Sequence, residues 1–242
     1  MFADPQEGPT GLHYTDDFID HAAEQDLIGR IAALPLQRFQ FGAFEGNRRV
    51  ASFGYRYDYT LQRLAEADPI PDWVRPVARQ VEAWAGLPEA GVRQVLCTEY
   101  EVGVGIGWHR DKPHFDKVLG LSLGSPCAFR FRRRNGAKWE RHTLTALPRS
   151  LYMMDGEARS QWEHSIPPVA ARRYSITFRT MSGPDGPGQN KRCENNPMHS
   201  RKPFQARASA ALDNGLTDRD KRRLRIQGAA NSPQGRLTNE MN

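Results

Sequence analysis

The stretch Arg173-Tyr174-Ser175-Ile176-Thr177-Phe178-Arg179 alternates strictly between polar and apolar residues. Successive side chains of a strand point to opposite faces, so Tyr174, Ile176 and Phe178 share one face and Arg173, Ser175, Thr177 and Arg179 the other. One face is core, and the other is polar with two fixed cations. From Gly91 onward the chain reads as a series of such strands, over 93–100, 117–123, 128–133, 139–145, 150–154 and 172–180. Between them stand Gly103-Val104-Gly105, Gly124-Ser125-Pro126, Asn135-Gly136, Pro148 and Pro167-Pro168, and Asn135-Gly136 is a hairpin-turn pair. Many short strands with regular turns predict a mainly β fold with flanking helices, its core a double-stranded β-helix, the jelly roll of cupins.

The segment Gly105-Ile106-Gly107-Trp108-His109-Arg110-Asp111 puts an imidazole and a carboxylate two residues apart in extended chain, where both can grip one ion. A third ligand is offered by His164 in Trp162-Glu163-His164-Ser165. Two histidines and one carboxylate form the facial triad of non-haem Fe(II) oxygenases, which leaves metal positions open for a cosubstrate and oxygen. Nine residues after His164 comes Arg173, with Arg179 on the same face. Two guanidiniums there suit a dicarboxylate cosubstrate, because Arg holds a carboxylate through two parallel hydrogen bonds.

The order His-x-Asp, His, Arg-x5-Arg resembles the AlkB family of Fe(II) and 2-oxoglutarate dependent dioxygenases, over residues 92–181 and faintly back to residue 12. The resemblance implies His109, Asp111 and His164 as iron ligands and Arg173 as partner of the distal carboxylate of 2-oxoglutarate. Arg179 then lies near the metal-bound end, and Tyr100, Thr98 and Ser175 complete the cosubstrate set. With Fe(II), 2-oxoglutarate and O2, such an enzyme couples formation of succinate and CO2 to oxidation of a C–H bond, and an N-methyl group leaves as formaldehyde. The family's repair enzymes flip an alkylated base into a pocket under an N-terminal lid. That implies Tyr55 as the ring stacking over His109, with Tyr57, Trp108 and Arg48 as further substrate residues. Three positions depart from the family's founding type: Pro113 replaces an acidic residue that contacts the base, Arg48 stands where a lid tryptophan is found, and Thr98 replaces an asparagine.

These residues support oxidative demethylation of alkylated nucleic acid, DNA or RNA, as in base repair. The same oxygenase chemistry on a protein or small molecule, and an inactive nucleic-acid binding module, are the alternatives. Arg130, Arg132, Arg133 and Arg134 fit either phosphate binding or a solvated strand face, with Phe129 and Phe131 opposite. The remaining histidines lack comparable context.

Upstream, a helix is expected over 18–34 with Thr15 or Asp16 as cap, and a second over 72–85, both packed on one outer sheet. Between them, residues 39–59 are rich in aromatic residues and arginine and are broken by Gly46-Asn47, which reads as a hairpin or lid. Domains are therefore expected at 1–91 (helices and lid), 92–182 (oxygenase core) and 183–242 (tail). The tail holds eleven Lys and Arg against six Asp and Glu, and with little to bury it is expected to be a disordered basic segment. It carries most of the net charge of +6, so the high pI says little about the core. Three widely spaced cysteines suit a reducing cytoplasm, and no apolar run suggests a membrane span.

Overall fold

A computed structural model of the 242-residue chain describes residues 8–41, 44–58 and 63–183, with side chains left aside at 41, 44 and 58. The elements run β1 (Leu12–Thr15), α1 (His21–Ala32), β2 (Gln37–Phe41), β3 (Phe44–Phe53), β4 (Tyr55–Asp58), β5 (Arg63–Glu66) and α2 (Arg75–Trp84). They continue with β6 (Gln94–Tyr100), β7 (Ile106–His109), β8 (Phe115–Leu123), β9 (Cys127–Asn135), β10 (Lys138–Ala146), β11 (Leu151–Met154), α3 (Gly156–Ser160), β12 (Glu163–Ile166) and β13 (Arg173–Met181). Among the described residues a seven-stranded sheet runs β1-β11-β8-β13-β6-β3-β2, a four-stranded sheet runs β10-β9-β12-β7, and β4 and β5 pair alone. All pairings are antiparallel, and the two larger sheets make the expected jelly roll.

The alternation of β13 is realised in packing. Tyr174, Ile176 and Phe178 join one apolar cluster with Val95, Leu119, Leu121 and Leu151 from neighbouring strands and Leu27, Ile31, Val77 and Val81 from α1 and α2. The helices thus seal the outer face of the large sheet, as periodicity implied. Burying one such Val, Leu or Ile side chain is worth about 1.5–3 kcal/mol relative to exposure, so this layer is a main source of stability. The inner face of the large sheet meets the small sheet, where Phe129, Phe131, Trp162 and Ile166 form a second cluster with Val118 and Met154.

Several local expectations change. The cap of α1 is Asp20, whose side chain accepts from the Ala23 amide at 2.8 Å; Thr15 belongs instead to β1, paired with Leu151. Gly46-Asn47 does not break the chain, because both lie within β3. Phe41 of β2 pairs with Phe44 of β3. Moreover β3 is hydrogen-bonded to β6, so half of the expected lid is a strand of the main sheet, and only β4 and β5 stand apart from it. Pairing on both sides of the dipeptide carries the strand through it: Phe44 and Glu45 pair with β2 and residues 49–53 with β6, and the register shifts in the stretch between. The Asn135-Gly136 turn is as expected: Asn135 pairs with Lys138 and Gly136 has φ +58°. Tyr59 and the tail from residue 184 lie outside the described residues.

Candidate active site

The inner faces of the two sheets enclose a cavity, partly open to solvent, lined by His109, Asp111, His164, Arg173 and Arg179 among others. Pairing brings the histidines together. His109 ends β7 and lies directly opposite His164 of β12, their ring centroids 4.3 Å apart. Asp111 lies two residues beyond β7, with its Oδ2 3.4 Å from His164 Nε2. Two donors bound at right angles to one ion at about 2.1 Å would be roughly 3 Å apart, so this pair is close to ligand spacing. The imidazoles lean against each other, and among the described residues no three His, Cys, Asp or Glu side chains are spaced to hold an ion as they stand.

The donor chemistry nevertheless fits a divalent ion. His109 Nδ1 lies 2.9 Å from the Gly107 carbonyl, and since a carbonyl only accepts, the proton sits on Nδ1 and Nε2 keeps its lone pair. Burial lowers the pKa of His109, and lowers that of His164 to about 3, so both rings are neutral near pH 7. Burial alone would raise Asp111, but the positive charge of Arg179, helped by His164 and His109, holds it well below the usual carboxylate range. Arg179 Nη2 and Nε donate to Asp111 Oδ1 at 2.8 and 3.2 Å, leaving Oδ2 turned to His164, and Nη1 donates to Gln94 Oε1 at 2.9 Å.

Arg173 is 2% exposed. Its Nη2 donates to Ser122 Oγ at 2.9 Å and its guanidinium carbon lies 4.8 Å from the centre of the Tyr100 ring. Among the described residues, Nε and Nη1 are buried without a partner. Leaving charged donors unmet costs a few kcal/mol, which an incoming carboxylate would recover. The other predicted cosubstrate residues lie beside it by register, since Arg173 pairs with Tyr100 and Ser175 with Thr98, and all four line the cavity. Arg48 also lines it, two residues from Val50, the partner of Thr98 in the same sheet.

The other residues expected at the substrate do not line the cavity. Tyr55 is not among the cavity-lining residues; the Arg93 guanidinium lies 5.9 Å from its ring, and its carbonyl accepts from Gln94 Nε2 and Ser52 Oγ at 2.7 and 2.8 Å. Tyr57 lies against the loop after Asp111, its ring stacked on His114 at 5.7 Å with Lys112 Nζ 4.5 Å from its centre. Trp108 follows the alternation of its strand: His109 points inward, so Trp108 points outward, against Arg130 and Arg132.

Sequence reasoning missed three contributors. Tyr152 lines the cavity opposite Gly120, where any side chain would overlap its ring, and Ser122 orients Arg173. Arg159 pins the loop after Asp111, its Nη2 donating to the carbonyls of Lys112 and Phe115 at 2.5 and 2.8 Å. Inward alternation in 117–123 and 150–154 marks Ser122 and Tyr152, whereas no local pattern marks Arg159.

Comparison with known proteins identifies the family. Residues 23–179 match the model of the 2OG-Fe(II) oxygenase superfamily. Over 71% of its length the chain is 30% identical to the alkylated DNA repair protein ALKBH8 homolog of Arabidopsis thaliana, covering 58% of that protein. It is 29% identical, over 74% of its length, to the tRNA (carboxymethyluridine(34)-5-O)-methyltransferase alkbh8 of Xenopus tropicalis, of which it spans 29%. The solved structure of OsALKBH1 superposes with a TM-score of 0.55 at 16% identity, covering 72% of this chain and 98% of that one, which shows a shared fold. The chain belongs to the 2OG-Fe(II) oxygenase superfamily, in its AlkB family, and so to the dioxygenases that use Fe(II), 2-oxoglutarate and O2.

Proposed function

We propose that this chain oxidises an alkyl carbon on a base of nucleic acid, releasing an N-methyl group as formaldehyde while 2-oxoglutarate is converted to succinate and CO2. The observation that carries the reading is the pair of unmet Arg173 donors in the cavity that also holds His109, Asp111 and His164. In this reading His109, Asp111 and His164 hold Fe(II), two neutral imidazoles and one carboxylate matching the ion's ligand preference. Arg173, beside Tyr100, takes the distal carboxylate of 2-oxoglutarate. Thr98 and Ser175 line the path of the cosubstrate, and Arg179 orients Asp111. Bound Fe(II) supplies the activation of O2 that couples decarboxylation to C–H oxidation.

Nucleic acid as substrate is supported by two relatives, named for DNA repair and for tRNA modification, and by residues around the iron-ligand loop. Tyr57 and His114 offer stacked rings beside that loop, and Arg48 brings a cation into the cavity. Stacking on such rings is worth about 1–3 kcal/mol per base. The test is succinate and formaldehyde release across a panel of methylated RNA and DNA oligonucleotides and methylated peptides. Coupled release on single-stranded oligonucleotides is expected. Coupled release on peptides, with none on any oligonucleotide, would move the substrate to protein.

A further inference from the structure

The outward face of the small sheet carries a ladder that the cavity chemistry does not use. Arg130, Arg132 and Arg134 alternate along β9 and so share one face, which Trp108 of β7 and Trp139 of β10 join. The Trp108 ring has the guanidinium of Arg130 at 5.2 Å and that of Arg132 at 4.4 Å; Trp139 has Arg132 at 4.5 Å and Arg134 at 4.8 Å. Arginine and tryptophan therefore alternate across the sheet. Arg132 is also directly opposite Arg141.

We propose that this face is a second binding surface, occupied by the single-stranded nucleic acid that flanks the target nucleotide. Charge is the first reason. Four arginines share the face with one carboxylate, Glu163, which accepts from Arg132 Nε at 2.6 Å. Like charges directly opposite, such as Arg132 and Arg141, destabilise a sheet. A bound polyanion relieves that repulsion. Geometry is the second reason. Stacking holds a guanidinium by its face and leaves its in-plane N–H groups for phosphate. Arg130 Nε donates to Ser165 Oγ at 3.2 Å and Arg134 Nη1 to the Ala137 carbonyl at 3.2 Å, so most donors on both are unspent among the described residues.

The repeat of the ladder favours nucleic acid over an acidic protein segment. Arginines at every second residue of a strand offer evenly spaced cations, and the rings between them offer stacking to bases, which an acidic peptide lacks. Position agrees, because Trp108 and His109 are neighbours on β7, one facing the ladder and the other the cavity. A strand that delivers one nucleotide to His109 has only to pass that edge of the sheet to reach Trp108. The choice of nucleic acid rests in part on the proposed substrate class, and the test separates the two.

The full chain is titrated with a fluorescently labelled, unmodified oligouridylate, read by anisotropy at several salt concentrations. Arg130→Gln, Arg134→Gln and Arg141→Gln together should weaken binding roughly tenfold and flatten the log–log salt slope by about 2, because each phosphate contributes about 0.7 on single strands. Trp139→Leu should weaken binding several-fold with the slope unchanged, as stacking carries no counterion release. Turnover of a methylated dinucleotide, too short to span both regions, should be that of the wild type in the triple variant. If the triple variant melts early, the double variant Arg134→Gln/Arg141→Gln is read instead, both side chains being exposed. Oligouridylate binding that falls in these variants, even where the enzyme oxidises no nucleic acid, supports the surface and sinks only the substrate reading. Unchanged affinity and slope in a folded variant would overturn it. Competition by oligoglutamate as strong as by oligouridylate of equal charge would overturn it as well.

Discussion

Arg173 is the residue at which stability and activity pull apart most clearly. A guanidinium with two donors unmet among the described residues, in a 2%-exposed site, costs free energy that an arriving carboxylate repays. Arg173→Lys keeps the charge but loses the planar fork. It should raise the 2-oxoglutarate KM by the equivalent of about 1–3 kcal/mol, measured as succinate formed against cosubstrate concentration. An unchanged KM would place the cosubstrate elsewhere. His164 gives a pH prediction. Its folded pKa, about 3, lies below the ordinary 6.5, so between those values the unfolded chain binds a proton that the folded chain does not. Stability is full above about 6.5 and falls on acidification, and Asp111, with its depressed pKa, adds a loss of the same sign at lower pH. Melting of the metal-free protein between about pH 6.5 and 5 should therefore decline less steeply in His164→Gln than in wild type. Equal slopes would mean that this ring is not held neutral by the fold. His109, Asp111, His164 and the two arginines were legible in the sequence because spacing and chemistry constrain them together. Arg159 was not, because its partners are backbone carbonyls more than forty residues away.

At the scale of elements, alternation was the reliable signal. It placed the polar face of β13 against the cavity and the apolar face under α1 and α2, and the strands over 93–100, 117–123, 128–133 and 139–145 lie within a residue or two of β6, β8, β9 and β10. Elements of four or five residues, β1, β12 and α3, span too few repeats to stand out and are held by their neighbours. Tyr55 and Tyr57 show how the hairpin β4–β5 divides its work. Tyr57→Ala should lower turnover on methylated oligonucleotides while leaving substrate-free conversion of 2-oxoglutarate to succinate near wild type. Tyr55→Ala should leave the ratio of the two activities unchanged, since its ring does not line the cavity. The reverse pattern would restore Tyr55 as the substrate-facing ring. Between β8 and β11, Gly120→Ala must displace the Tyr152 ring that lies over it. Strain of this kind typically costs about 1–3 kcal/mol, visible as a lowered Tm; a variant as stable as wild type would mean that the ring moves freely.

At the scale of the whole molecule, two sheets, a helical layer outside and a polar cavity inside follow from one rule, that each strand presents opposite chemistry to its two sides. The cavity gathers the oxygenase residues from β6, β7, β12 and β13 and the loop after β7, although they are spread over more than eighty positions of the chain. The central claim is that these residues form one Fe(II) and 2-oxoglutarate site. It is tested most directly by measuring succinate formed from 2-oxoglutarate in the presence of Fe(II) and O2, for the wild type and for Asp111→Ala, with folding checked by circular dichroism. The account predicts O2-dependent succinate from the wild type and none above background from the variant. Succinate at the wild-type rate from folded Asp111→Ala would contradict it.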